Sequence, residues 1–171
     1  AGTGLLTWEA VRRSPEGSVW ALVSDERTAS GLRAQASNLR EMDRPVIMAG
    51  PLERILGLVS AKGEGDVRFD AVVGRNALLP VHDKGTVVKA VTQVLAPEGT
   101  ISLVEGVPRR GQRIYGLADL EGLDRKLVEK WIAAEETIYE DADDPMVNWT
   151  QDDLAHAFDQ AGLIIKHFHS E

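Results

Sequence analysis

Apolar and polar positions along the chain alternate between short continuous apolar runs and longer stretches of helical spacing. Residues 5–13 follow a small-residue turn and read as an amphipathic helix. Residues 18–23 form an apolar run of strand length, and residues 45–49 and 69–74 repeat it. Runs without polar alternation suit strands of a parallel sheet, which are covered on both faces. Three helical patterns alternate with them, one after each run. Ser24 or Asp25 can cap the first, which runs towards Ser37 with Leu32 and Ala36 at helical spacing. A second occupies residues 52–59, before a polar glycine-rich loop at 61–68. The third covers residues 84–95, with Val87, Val88, Val91, Val94 and Leu95 on one face, and Pro97-Glu98-Gly99 turns it into a strand over 100–105. This alternation, with right-handed crossovers, predicts one doubly wound α/β sandwich of 171 residues.

The remainder departs from simple alternation. A basic loop at 107–115 leads into a long helical segment near 123–140 that carries Leu127, Val128, Trp131, Ile132 and Ile138, and an acidic turn at 141–145 ends it. Thr150 to Asp153 resembles a capping box with Asp in place of Glu, opening a helix through Leu154, Phe158 and Ala161. Gly162 stops that helix, and residues 163–168 read as a last strand. The four tryptophans fall at core spacings and are read as packing residues.

Composition narrows the function classes. At 43% hydrophobic the chain has material for a real core, and no run is long and apolar enough to span a membrane. The absence of cysteine excludes disulfides and thiolate metal sites and suits a reducing cytoplasm. A formal charge of −8 opposes a surface that binds nucleic acid as a whole, because phosphate neutralisation needs clustered cations. A local basic patch stays open.

Candidate chemistry begins at Gly2, Thr3 and Gly4. Two glycines let the backbone turn sharply beside a ligand, and the following helix would aim its unpaired N–H groups at it; a bare structural turn is the alternative. Asn76, beyond the strand at 69–74, stands where ligands gather in open α/β sheets, or else caps its own loop. Glu105 closes the strand at 100–105 at the same edge. His82-Asp83 reads either as an oriented acid–base pair or as a helix start. Arg109, Arg110 and Arg113 are the densest cation cluster, suited to phosphate, nucleic acid or an acidic partner, or to neutralising the acidic helix nearby. His167 and His169 share a face but lack a third metal ligand.

In order and spacing these segments resemble the class I S-adenosylmethionine-dependent methyltransferases. Ala1-Gly2-Thr3-Gly4 is similar to the end of that family's glycine motif, and residues 69–78 to its fourth-strand motif. Residues 94–105 resemble its helix, Pro-x-Gly turn and fifth strand, and residues 148–163 the helix before its sixth strand. The resemblance implies a Rossmann-like three-layer sandwich with a mostly parallel sheet, truncated at both ends so that the first and last family strands are absent. It implies S-adenosylmethionine as cofactor, held by Gly2, Thr3 and Gly4, with Asp25 as a shifted ribose contact and Asn76 near the methionine end. The family's acidic positions after its second and third strands fall here on Val23 and on Gly50-Pro51. A missing central strand leads to the expectation that the strands flanking the gap close together or that the chain pairs with a second copy.

A narrower likeness lies in residues 5–17 and 107–113, which resemble a methyltransferase-like domain fused in cyanobacteria behind an AAA+ ATPase of the replication-associated recombination type. It implies a piece of a longer parent chain, with DNA or replication proteins as partners and Glu105, Arg109, Arg110 and Arg113 as contact residues. Any ATP chemistry would belong to the parent, since no phosphate-loop motif occurs here.

Overall fold

A computed structural model describes residues 4–63 and 66–170, which fall into two compact units interleaved in sequence. One takes residues up to Ala77 together with Thr86–Val104; the other takes Leu78–Gly85 together with the chain from Glu105 on.

In the first unit, α1 (Leu5–Arg13) precedes β1 (Trp20–Val23), and α2 (Glu26–Ala36) carries the chain to β2 (Val46–Ala49). The two strands pair in parallel, from Trp20 opposite Val46 to Val23 opposite Ala49. Asp25 starts α2 because its carboxylate accepts the Thr28 N–H at 2.9 Å, satisfying one of the donors that a helix start leaves open. Ala29, Leu32 and Ala36 lie on one face of α2 and form a core cluster with Ala21, Val23 and Ile47, and Trp8 of α1 packs against it. Two alanines on that face let the helix approach the strands closely. Burying Leu32 contributes roughly 1.5–3 kcal/mol. A 3-10 turn, Leu52–Arg54, leads into α3 (Ile55–Lys62), so the helical stretch expected at 52–59 is shifted towards the loop.

The second parallel pair is β3 (Phe69–Arg75) with β4 (Leu95–Val104), and α4 (Lys84–Thr92) lies between them in sequence. The helix expected through Leu95 ends three residues earlier. The Val94 N–H turns back to the Val91 carbonyl at 3.1 Å, and Val94 is 1% exposed, so its apolar signal reflects burial rather than helix. The register shifts between Phe69 and Ala71, where residues 96–99 of β4 bulge out of the ladder and Thr100 resumes it. Glu98 adopts a left-handed φ of 64°, and a Cβ on Gly99 would meet the Ala96 and Phe69 carbonyl oxygens at 2.9 and 3.0 Å. Only glycine fits there without backbone movement.

Three expectations are corrected. The strands form two separate two-stranded sheets rather than one, and β1 and β3 share no ladder among the described residues. Their first residues, Trp20 and Phe69, meet edge to face at 5.6 Å between ring centroids, so aromatic packing stands where backbone pairing was expected. β3 and β4 are not covered on both faces: Val73 is 54% exposed and Val104 66%. Residues 163–170 form no strand, because an apolar run makes a strand only where a neighbour offers its N–H and C=O row. What holds is an α/β architecture with parallel strands, of a generally Rossmann-like kind.

The second unit contains α5 (Arg125–Tyr139) and α6 (Gln151–Gln160). Asp124 caps α5 by accepting the Leu127 N–H at 3.0 Å. The capping box at α6 is present: Asp153 accepts the Thr150 N–H at 2.7 Å, and Thr150 Oγ1 accepts the Asp153 N–H at 3.3 Å. Leu78, Val81, Val147, Trp149 and Ala157 are its buried apolar residues.

Candidate functional site

Gly2 and Thr3 lie outside the described residues, so the glycine loop is visible from Gly4 onwards. Gly4 is the N-cap of α1 with a left-handed φ of 86° and no side-chain cap. Its open side is taken by the protein itself. A Cβ there would stand 2.4 Å from Leu32 Cδ2 and 3.0 Å from Trp8 Nε1. The glycine is therefore required by packing of α1 against α2, and the space beside it is filled by side chains.

Asp25, the ribose-contact candidate, is similarly engaged. Its carboxylate accepts the Thr28 N–H at 2.9 Å, the Thr28 hydroxyl at 2.8 Å and the Ser24 hydroxyl at 3.0 Å. These bonds, the Thr28 backbone bond foremost, hold it below the usual carboxylate range. A carboxylate has about four acceptor positions, so three are used within the cap. With Gly4 packed and Asp25 capped, the described residues offer S-adenosylmethionine a poor fit at both the turn and the ribose.

Asn76 follows β3 with a left-handed φ of 49°, and its N–H donates to the Val104 carbonyl at 2.8 Å, extending the ladder by one bond. Asn tolerates this conformation better than most residues, which gives it a backbone reason for its place. Glu105 sits in the second unit and accepts N–H groups from Leu78 and Leu79, each at 3.2 Å. It clamps that loop. His82 and Asp83 are both exposed, and Asp83 directly precedes α4.

The arginine cluster divides. Arg113 turns inward, donating through Nε to Glu136 Oε1 at 2.9 Å and stacking its guanidinium 3.7 Å over the Tyr139 ring. Tyr115 donates its hydroxyl to the same Glu136 oxygen at 2.6 Å. Arg113 first and Tyr115 second lower the Glu136 pKa, and Glu136 in turn raises those of both partners. Arg109 and Arg110 remain exposed, and Arg110 Nη1 donates to Gln151. The outward basic feature is thus two arginines on a 3-10 turn.

Two buried ionisable residues escaped the sequence reading. Lys84, 8% exposed, donates to the Val81 and Pro145 carbonyls at 2.8 and 2.9 Å and lies 4.9 Å from the centroid of the Trp149 ring. Burial pushes its pKa down, and the Glu105 charge opposes that shift. Glu135, 6% exposed, accepts the Ile114 N–H at 2.6 Å and the Tyr115 N–H at 3.2 Å. A signal existed for each. Lys84 occupies the apolar stripe of Val87, Val88 and Val91, and Glu135 that of Val128, Ile132 and Tyr139; a charge on a buried stripe marks an internal partner.

Two shallow depressions lie in the first unit. One of about 340 Å³ is lined by Trp8, Val11, Arg12, Gln35 and Leu39. Another of about 440 Å³ runs along α2, β2 and α3 and includes Glu26, Arg33, Met48 and Leu58. Neither is lined by Gly4, Asp25 or Asn76. No group of three metal-ligating side chains occurs among the described residues, and no helix among them is long and apolar enough to cross a membrane. Comparison with protein-family models, with curated proteins and with solved structures gave no match.

Proposed function

We propose that this chain is a methyltransferase-like Rossmann domain acting as an accessory interaction module of a DNA-associated AAA+ ATPase, rather than as a working methyl-transfer site. The observation that carries this reading is the engagement of Asp25, whose carboxylate already serves three donors of its own helix cap. Arg109 and Arg110 are the contact residues, since guanidinium groups on an exposed turn can fork onto phosphate or carboxylate. Enzymatic use of S-adenosylmethionine is the second reading. It is favoured by Gly4, whose left-handed N-cap leaves the start of α1 without a side-chain cap.

Calorimetric titration of S-adenosylhomocysteine into this chain, and into any longer natural form of it, separates the two. The accessory reading expects no heat of binding. Micromolar binding that Asp25→Ala weakens would overturn it. In parallel, Arg109→Glu with Arg110→Glu is expected to weaken binding of duplex DNA or the ATPase by about tenfold or more, the loss of roughly 1.4 kcal/mol. Unchanged binding to both removes the contact.

A further inference from the structure

We propose that α5 is a self-association helix through which two copies of this chain pair antiparallel about a two-fold axis. Leu127, Trp131, Ala134 and Ile138 follow one another at intervals of four, three and four, the spacing of a coiled-coil seam. This stripe faces outward. Leu127 is 60% exposed, Ile138 61%, Ala134 is exposed and Trp131 half-buried. The neighbouring stripe, with Glu135 and Tyr139, is the one that meets the unit's own loop at Arg113, Ile114 and Tyr115. A helix so placed leaves a second apolar face uncovered, which in water favours a partner.

The partner is read from the internal symmetry of the stripe. Leu127 and Ile138 are equally far from the point between Ile132 and Ala133, and so are Trp131 and Ala134. A two-fold axis at that point sets Leu127 of one copy beside Ile138 of the other, and Trp131 beside Ala134. Aliphatic then meets aliphatic, and the largest side chain meets the smallest. Parallel pairing would instead oppose two indoles.

Charge has the same sense. Exposed Arg125, Lys126 and Lys130 outweigh exposed Asp124 and Glu129 by one charge at the start and in the first half of α5, while exposed Glu140, Asp141 and Asp143 lie at and beyond its end. Antiparallel copies bring basic beside acidic at both ends and oppose their helix dipoles; parallel copies stack like charges. The seam spans about 16 Å of a helix about 10 Å wide, a strip well below the ~800 Å² per partner of a stable interface. The dimer is therefore weak and reversible.

Sedimentation equilibrium of the full chain from about 5 to about 500 μM is expected to show a rise from one chain mass towards two, with a dissociation constant on the order of 10–100 μM. Leu127→Glu with Ile138→Glu should weaken it at least about tenfold while leaving the melting curve unchanged, since both side chains are exposed. Because the chain has no cysteine, engineered thiols report orientation. An oxidised mixture of Leu127→Cys and Ile138→Cys should give mostly the mixed disulfide. Monomer at every concentration, or disulfides only between like variants, would overturn the proposal and assign the stripe to a different partner.

Discussion

Glu135 illustrates how a single residue organises the second unit. A carboxylate 6% exposed on a helix looks like an electrostatic liability, yet its oxygens accept two consecutive backbone N–H groups, those of Ile114 and Tyr115. Those amides begin the 3-10 turn Ile114–Gly116. Glu136, one position on, ties Arg113 and Tyr115 to the same helix. Glu135→Ala should cost about 1–3 kcal/mol, the penalty of leaving buried donors without acceptors, whereas Glu135→Gln keeps one acceptor and should lose less. Urea unfolding gives the magnitude, and amide exchange at Ile114 and Tyr115 gives the place. Equal losses for the two variants would mean that a single amide oxygen cannot replace the carboxylate, and no loss in either would remove the role.

The contact of α1 with α2 turns on the absence of a side chain. Gly4 is left-handed, and a methyl group there would press on Leu32, which is 3% exposed and has little room to move. Trp8, one turn later, donates its indole N–H to Gln35 at 3.0 Å, joining the two helices a second time. Gly4→Ala should therefore destabilise the fold by about 2–4 kcal/mol, from left-handed strain plus overpacking. In a Leu32→Ala background, itself less stable, Gly4→Ala should cost less than it does in the wild type, which a double-mutant cycle of thermal unfolding would measure. If Gly4→Ala melts like the wild type, the glycine answers to something other than packing. The glycine pattern was legible in the sequence; its reason was not, because Leu32 is 28 positions away.

At the scale of the whole molecule, stability should carry the mark of Lys84. Its ammonium joins Val81, Pro145 and Trp149, and the Pro145 bond spans 61 positions. Trp149, in contrast, buries its indole N–H with no partner among the described residues, so this corner is not fully compensated. Burial lowers the Lys84 pKa below the ordinary 10.5. Between the lowered value and 10.5 the unfolded chain binds more protons than the folded one, so stability attributable to this group rises with pH across that window. Below the window the cost of burying the charge is fully present. Urea unfolding from about pH 8 upwards should show the wild type gaining on Lys84→Met, in which the titrating group is gone. Parallel profiles for the two proteins would mean that the carbonyls and the indole offset burial completely.

The elements could be read from local pattern: the helix starting at Leu5, the caps at Asp25 and Thr150, the parallel-type runs at β1, β2 and β3, and the stop at Gly162. These are local, set by hydrophobic period and by side chains that bond within a turn of themselves. Long-range packing set the surroundings of individual side chains. It turned Arg113 inward while Arg109 and Arg110 stayed exposed, buried Lys84 and Glu135, and left residues 163–170 without a strand. Each outcome depends on a partner distant in the sequence, and a residue's chemistry follows the partner that packing brings to it.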